Sequence, residues 1–286
     1  MASELVFDLG LNTGDDTAFY LSQGYRVVSV EADPTLAEAA RKRFHREIEQ
    51  NRLQILNVGI AKEDGFADFW ICDDKSQFNS FDRRIAARNS YKHHSIRIPT
   101  KRFATLLKEY GMPYYLKIDI EGNDQLCLDD LSPTSRPRFI SLESECPEEE
   151  VMTGADEGLR ALARLRDLGY RQFKLIDQLT FCSLSDPPSL NDRVDRIARR
   201  VLQDSPMKGF RGAYRLACYL VTRNRLERKF GREFPIGCSG VFGEDTPGKW
   251  ISYEEAERAY RYYREMHFKN SAAQPYSFWC DWHAKM

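Results

Sequence analysis

Over its first 180 residues the chain alternates short β-branched stretches with amphipathic ones. This alternation constrains the fold more than any other feature of the sequence. Glu4 to Leu9 reads as a buried strand, and Asp15 to Gln23 as a helix that Gly24 can end. Arg26 to Glu31 (RVVSVE) is strand-like. Asp33-Pro34 supplies an N-cap and a first-turn proline for a helix with apolar residues at 36, 39, 40 and 44. Leu53 to Ile60 reads as a third strand, and Gly65 turns the chain into a hairpin partner at Phe66 to Cys72. Ile96 to Pro99 is extended and Phe103 to Tyr110 helical. Tyr114 to Ile120 is a strand, Asn123 to Leu131 a helix and Arg138 to Glu143 a strand. Asp156 to Leu168 is a helix closed by Gly169, followed by strands at Phe173 to Ile176 and Thr180 to Leu184. Repeated strand–helix–strand units imply an α/β fold, a mostly parallel sheet with helices on both faces. Ligands of such sheets sit beyond the carboxyl ends of the strands. Asp8 to Gly10, Glu31, Gly59, Asp119 with Glu121, and Glu143 with Glu145 all fall on that rim.

The turn after the first strand, Asp8-Leu9-Gly10-Leu11-Asn12-Thr13-Gly14, bears on which nucleotide the rim holds. Glu31 follows Gly10 by 21 residues, suitable for gripping the ribose hydroxyls of either NAD or S-adenosylmethionine. A dinucleotide fingerprint starting at Gly10 needs glycine at 12 and 15, where this chain has Asn12 and Asp15, followed by Asp16. Pyrophosphate seeks bare N–H groups at a helix start, and two carboxylates there repel it. S-adenosylmethionine has no phosphate and carries a sulfonium and an ammonium, to which Asp8 is expected to lie close. The charge argument favours S-adenosylmethionine and disfavours a NAD-dependent oxidoreductase.

The segments FDLGLNTGDD, VSVEADP, NVGIAKEDGFADFW, YYLKIDIEGND and FISLE together resemble the FkbM family of S-adenosylmethionine-dependent methyltransferases, over about residues 5–145. The KIDIEG run placed after a GxNxG loop is the most specific part. The resemblance implies a class I, Rossmann-like methyltransferase fold and O-methylation of a hydroxyl on a small molecule or a sugar- or polyketide-type acceptor. It assigns Asp8, Gly10, Asn12 and Gly14, with Thr13 between them, to the cofactor loop. Glu31, followed by Ala32, falls to the ribose, and Asn57, Val58 and Gly59 border the adenine. Asp119 and Glu121 match the family's acidic strand end, Asp119 counting toward both cofactor and chemistry. The resemblance does not reach the last hundred residues.

Methyl transfer to oxygen requires alignment of the nucleophile and management of one proton. Strand alternation puts Asp119 and Glu121 on one face, and likewise Glu143 and Glu145. Clustered carboxylates suit a general base. They would also suit a hard cation such as Mg²⁺, although no metal is expected. Asp73 to Ser95 is long and polar and reads as a lid or active-site loop. Ser80 and Phe81 begin its cofactor-covering part, and His93, next to His94, is a candidate base there.

Pro187-Pro188 marks a change of character, giving a methyltransferase domain over 1–187 and a helical, aromatic appendage over 188–286. Arg193 to Leu202 reads as an amphipathic helix, and Ser252 to Met266 opens on a capping box of Ser252 and Glu255. Residues 193–232 hold twelve Lys or Arg against three acids, a net of +9 in a chain of net −1. This suits an anionic acceptor or partner. A nucleic-acid or anionic-surface binding protein is the alternative reading, disfavoured because the segment lacks the interleaved exposed aromatics of a stacking platform. The Trp279 to His283 run reads as a packed tail or a pocket wall. Seven scattered cysteines, without a CxxC pair or a basic-apolar leader, suit a reduced cytoplasmic protein. No apolar run of about 18 residues exists to span a membrane. Self-association is left open.

Overall fold

A computed structural model describes residues 4–146, 156–184, 221–235, 237–269 and 278–286. The chain divides into two compact units, 1–142 and 143–286.

The first unit begins with β1 (Leu5–Leu9), α1 (Asp15–Ser22), β2 (Arg26–Val30), α2 (Pro34–Arg43), α3 (His45–Glu49) and β3 (Leu53–Leu56). It continues through β4 (Gly59–Ile60), β5 (Gly65–Cys72), α4 (Arg83–Ala86), β6 (His93–Lys101), α5 (Phe103–Tyr110), β7 (Tyr115–Ile118) and α6 (Asp124–Asp129). The strand β8 (Phe139–Cys146) starts in it. The order is β3-β2-β1-β7-β8, every pair parallel. The order in which strands are added reverses between β1 and β7, the position where open α/β sheets form a crevice. Alternation along β1 shows how both faces are covered. Phe7 packs edge-on against Phe103 and Tyr110 of α5, with centroids 6.2 and 6.5 Å away. Asp8, on the opposite face, accepts a 2.6 Å hydrogen bond from Thr17 of α1. Phe7, Phe103 and Tyr115 have no exposed surface, and burying each such ring contributes roughly 1.5–3 kcal/mol. Asp33 caps α2 as the sequence indicates, accepting from the Thr35 N–H at 2.7 Å.

A second, three-stranded sheet, β4-β6-β5, holds what the sequence presents as a hairpin partner and a long loop. The expected strand over 53–60 splits: β3 ends at Leu56, and Gly59-Ile60 pairs with β6 instead. β6 begins at His93, so His93 and His94 head a strand and do not lie in a loop. Both are paired in register with Cys72 and Ile71 of β5.

In the second unit α7 (Glu157–Asp167) is capped by Asp156, whose carboxylate accepts from the Leu159 N–H. β9 (Gln172–Asp177) follows; Thr180 to Leu184 forms a single bridge, Ile176 to Ser183, and not the expected strand. A helix over 221–230, α8, precedes α9 (Tyr253–Lys269). The Ser252–Glu255 capping box forms at the start of α9: the Ser252 N–H donates to Glu255 Oε2 at 2.8 Å and the Glu255 N–H to Ser252 Oγ at 3.3 Å. The aromatic tail is a strand, β10 (Phe278–Lys285), antiparallel to β9. Trp282 is fully buried, stacks on Tyr260 at 5.5 Å and donates to Gly158 O at 2.9 Å. Trp279 donates to Glu143. The tail's aromatics therefore pack this unit. The expected helix at 193–202, the boundary at 187/188 and most of the +9 segment lie outside the described residues, as does the side chain of Glu145. Among the described residues no helix is long and apolar enough to cross a membrane.

Candidate active site

The loop after β1 explains its own sequence. Gly10, Asn12 and Gly14 all have positive φ, at 88°, 48° and 84°. Glycine adopts such a conformation freely, and asparagine is the side chain that tolerates it best. A Cβ on Gly10 would lie 1.8 Å from the carbonyl oxygen of Asp119, so β1 and β7 can meet only at a glycine.

Glu31 closes the other side. Its Oε2 accepts from the Asn12 N–H at 2.7 Å and its Oε1 from the Asp33 N–H at 2.9 Å. Burial raises its pKa to about 7, against the pull of these two backbone hydrogen bonds. Asn57 donates to the carbonyls of Glu31 and Ala32 at 2.9 and 3.1 Å, fixing the end of β2. Beside it, Gly59 lies so close to Phe81 that a Cβ would sit 2.4 Å from the ring.

Between β1 and β7 lies a charged cluster. Lys117, almost wholly buried, is paired in register with Asp8. Its Nζ lies 3.2 Å from Asp8, 3.4 Å from Asp119 and 3.5 Å from Asp16. It also donates to Gly10 O at 3.2 Å. The neighbouring carboxylates hold the Lys117 pKa well above its usual value, in spite of burial. Asp8 has no exposed surface; it connects to the loop through Lys117 and to α1 through Thr17. Asp15 is bound by Arg43 at 3.0 Å and by the Thr13 hydroxyl at 2.8 Å, and Arg43 also donates to Thr13 O.

The turn after β7 carries Asp119 and Glu121. Glu121 has φ of +50°, a strained conformation for a residue with a side chain. Ser80, buried, donates to Glu121 O at 2.7 Å. Asp124 accepts from the Ile120 and Gly122 N–H groups at 3.3 and 3.2 Å, and burial raises its pKa to about 6. Asn123 donates to Ile60 O at 2.8 Å. The segment between β5 and β6 is tied across this rim: Ser76 donates to Asn12, Asn79 to Asp33 and Ser80 to Glu121.

The structure therefore brings together Gly10, Asn12, Glu31, Ala32, Asn57, Gly59, Ser80, Asp119 and Glu121 through shared contacts. His93 is placed otherwise: its Nδ1 is 3.0 Å from Tyr91 O, its Nε2 accepts from Arg83 at 3.3 Å, and its ring packs on Trp70. Sequence reasoning assigned no role to Lys117 itself, Asp124 or Asn123. A lysine inside an apolar strand, aligned with an aspartate inside the adjacent one, is the signal from which a buried charge cluster could have been read.

A family model described as the methyltransferase FkbM domain matches residues 8–172. No curated protein matches the chain. Solved structures similar to it include methyltransferase FkbM from Methylobacillus flagellatus KT, at 16% identity and a TM-score of 0.41. That match covers 60% of this chain and 40% of the other, so this chain spans well under two thirds of that protein's length. The O-methyltransferase from Bacillus cereus, in complex with S-adenosylhomocysteine (SAH), is 15% identical over 61% of this chain and 67% of its own, with a TM-score of 0.35. The SAM-dependent methyltransferase from Thiobacillus denitrificans is 14% identical over 99% of this chain and 85% of its own, with a TM-score of 0.34. The family match spans more than half of the chain, which therefore belongs to the FkbM methyltransferases, enzymes whose cofactor is S-adenosylmethionine.

Proposed function

We propose that this enzyme transfers a methyl group to a hydroxyl oxygen of a small molecule or of a sugar- or polyketide-type acceptor. The cofactor, when bound, supplies a methyl group activated on a sulfonium. The rim fits it. Glu31 keeps lone pairs for ribose hydroxyls beyond the two backbone N–H groups it already accepts. Asn57, Val58 and Gly59 border the adenine in this reading. The acidic surroundings suit a cation and would repel a pyrophosphate.

The observation that carries the proposal is the Asp119–Glu121 turn. A left-handed glutamate, held by Ser80 and Asp124 beside Gly10, is strain kept in place by its surroundings, and such strain concentrates at functional sites. In this reading Glu121 accepts the hydroxyl proton and Asp119 orients the site. His93 is not given that role in this reading, since both its ring nitrogens lie within hydrogen-bond distance of Tyr91 O and Arg83. An anionic acceptor and a cytoplasmic setting belong to the same reading, supported by the basic segment and by the buried thiols of Cys72 and Cys127.

The test is labelled-methyl transfer into a cell extract, followed by kinetics on the acceptor so identified. Glu121→Gln should lower kcat by about 10²–10⁴-fold, the usual worth of a general base, with cofactor affinity unchanged. An unchanged kcat would remove Glu121 from the chemistry, and label on nitrogen or carbon would overturn O-methylation.

A further inference from the structure

We propose that Arg43, the last residue of α2, is a positioning residue for the cofactor loop: it holds the outer half, Thr13 to Asp15, in the shape that receives the methyl donor. The inference rests on that loop being where S-adenosylmethionine binds. The Arg43 guanidinium reaches a part of the chain thirty residues earlier in the sequence. Its Nη1 donates to Thr13 O at 2.6 Å and its Nη2 to Asp15 Oδ1 at 3.0 Å. The other Asp15 oxygen accepts from the Thr13 hydroxyl at 2.8 Å. One planar fork thus joins a loop carbonyl to a carboxylate, and the hydroxyl closes the circuit. Gly14 links the two residues so held. Its φ is +84°, and a Cβ on it would meet the Phe44 ring at 2.7 Å. Phe44 follows Arg43 directly, and the guanidinium lies 5.0 Å from the centre of its ring. The end of α2 therefore grips the loop twice, by the Arg43 hydrogen bonds and by the Phe44 ring.

The loop needs such a grip. Gly10, Asn12 and Gly14 all have positive φ, and a free chain has many other conformations open to it at glycine. The inner half is held from within the sheet: Lys117 donates to Gly10 O, and the Asn12 N–H donates to Glu31. Arg43 supplies the restraint for the outer half. There the Thr13–Gly14 peptide is fixed at both ends, its oxygen by Arg43 and its N–H by Leu11 O at 2.8 Å. As a contribution to stability the ion pair is poorly placed. Its side chains are 42% and 23% exposed, and pairs in such surroundings contribute little to folding. Its consequence lies in binding. A loop already ordered loses less freedom when the ligand arrives, and one that is competent a tenth of the time binds about tenfold more weakly.

The experiment is calorimetric titration of the full chain and its variants with S-adenosylmethionine and, separately, with S-adenosylhomocysteine. Urea denaturation of each unliganded protein accompanies it. Arg43→Ala should weaken both ligands by the same factor, about tenfold, with the urea midpoint little changed. Equal loss marks an effect of loop shape, because removing a nearby positive charge would by itself favour the sulfonium-bearing donor. Arg43→Lys keeps the charge without the fork and should recover only part of the affinity. Lys42→Ala removes a charge from the same end of α2, from a side chain whose Nζ lies 3.6 Å from Glu38, and should leave both affinities unchanged. Wild-type affinity in Arg43→Ala would overturn the proposal, leaving Arg43 as a surface ion pair. An equal loss in Lys42→Ala would also overturn it, because the effect would then be one of general charge. Should Arg43→Ala fail to fold, Arg43→Lys decides the question, and undiminished affinity there would overturn the proposal. If neither ligand binds the wild-type chain, the cofactor assignment of the loop fails, a result distinct from unchanged affinity in the variants.

Discussion

Glu31 makes the cofactor site sensitive to pH within the physiological range. Its carboxyl is displaced from 4.5 to about 7 by burial, which corresponds to about 3 kcal/mol disfavouring the charged form. The folded chain thus holds a proton here that the unfolded chain has released. Stability contributed by this group is full below its unfolded pKa of 4.5 and is lost as pH rises toward about 7. Binding has the opposite dependence. Ribose hydroxyls donate to the carboxylate, so a protonated Glu31 must first ionise. With a ligand-free pKa near 7, affinity for S-adenosylhomocysteine should be about tenfold weaker at about pH 6 than at about pH 8. Glu31→Gln removes the titration. Its single oxygen can serve only one of the Asn12 and Asp33 N–H groups well, leaving an unpaired donor that costs about 1–3 kcal/mol. The variant should bind more weakly at high pH and show a flat profile across the same range. Calorimetry over that range in both proteins makes the comparison. Parallel profiles in wild type and variant would refute the reasoning, because the titrating group would then lie elsewhere.

Gly10→Ala should abolish cofactor binding and destabilise the fold by about 2 kcal/mol or more, since its Cβ would meet the Asp119 carbonyl at 1.8 Å in a backbone with φ of +88°. Denaturant melts with and without ligand will show it; a stable variant that still binds would remove the reason for a glycine there. Glu121→Gly should raise stability by about 1 kcal/mol by relieving the left-handed backbone, while catalysis is lost. A destabilised variant would mean that the Glu121 side chain contributes more than its backbone costs. Trp282→Ala should cost about 3–5 kcal/mol through loss of the buried ring and its bond to Gly158, measured by urea denaturation.

The sequence shows the parallel core plainly, because β1, β2, β3 and β7 are mostly apolar runs set among helix signals that act locally. Asp33-Pro34 starts a helix by its own chemistry, and Ser252 with Glu255 does the same, so neither needs tertiary context. The GxNxG loop is legible for the same reason: positive φ restricts which residues can stand there. What stayed hidden depends on partners distant in sequence. His93 to Ser95 look like loop residues because they are polar and partly exposed, yet β5 pairs with them. β10 lacks the two-residue alternation because Asp281, Trp282 and His283 are all buried, so both faces are covered. Burial drives the His283 pKa down to about 3, which keeps the imidazole neutral there. Asp8 is visible as an acid at a strand end, but its direction is not. Only the register with Lys117 and the bond from Thr17 show that it is buried beneath the loop.

The central claim is that the Gly10 to Gly14 loop, closed by Glu31, holds the methyl donor. A crystal structure of the full chain with S-adenosylhomocysteine tests this most directly. The ribose hydroxyls are expected on the Glu31 carboxylate and the amino-acid end over the loop beside Asp119. Ligand density elsewhere on the chain, with Glu31 still bonded only to Asn12 and Asp33, would contradict it.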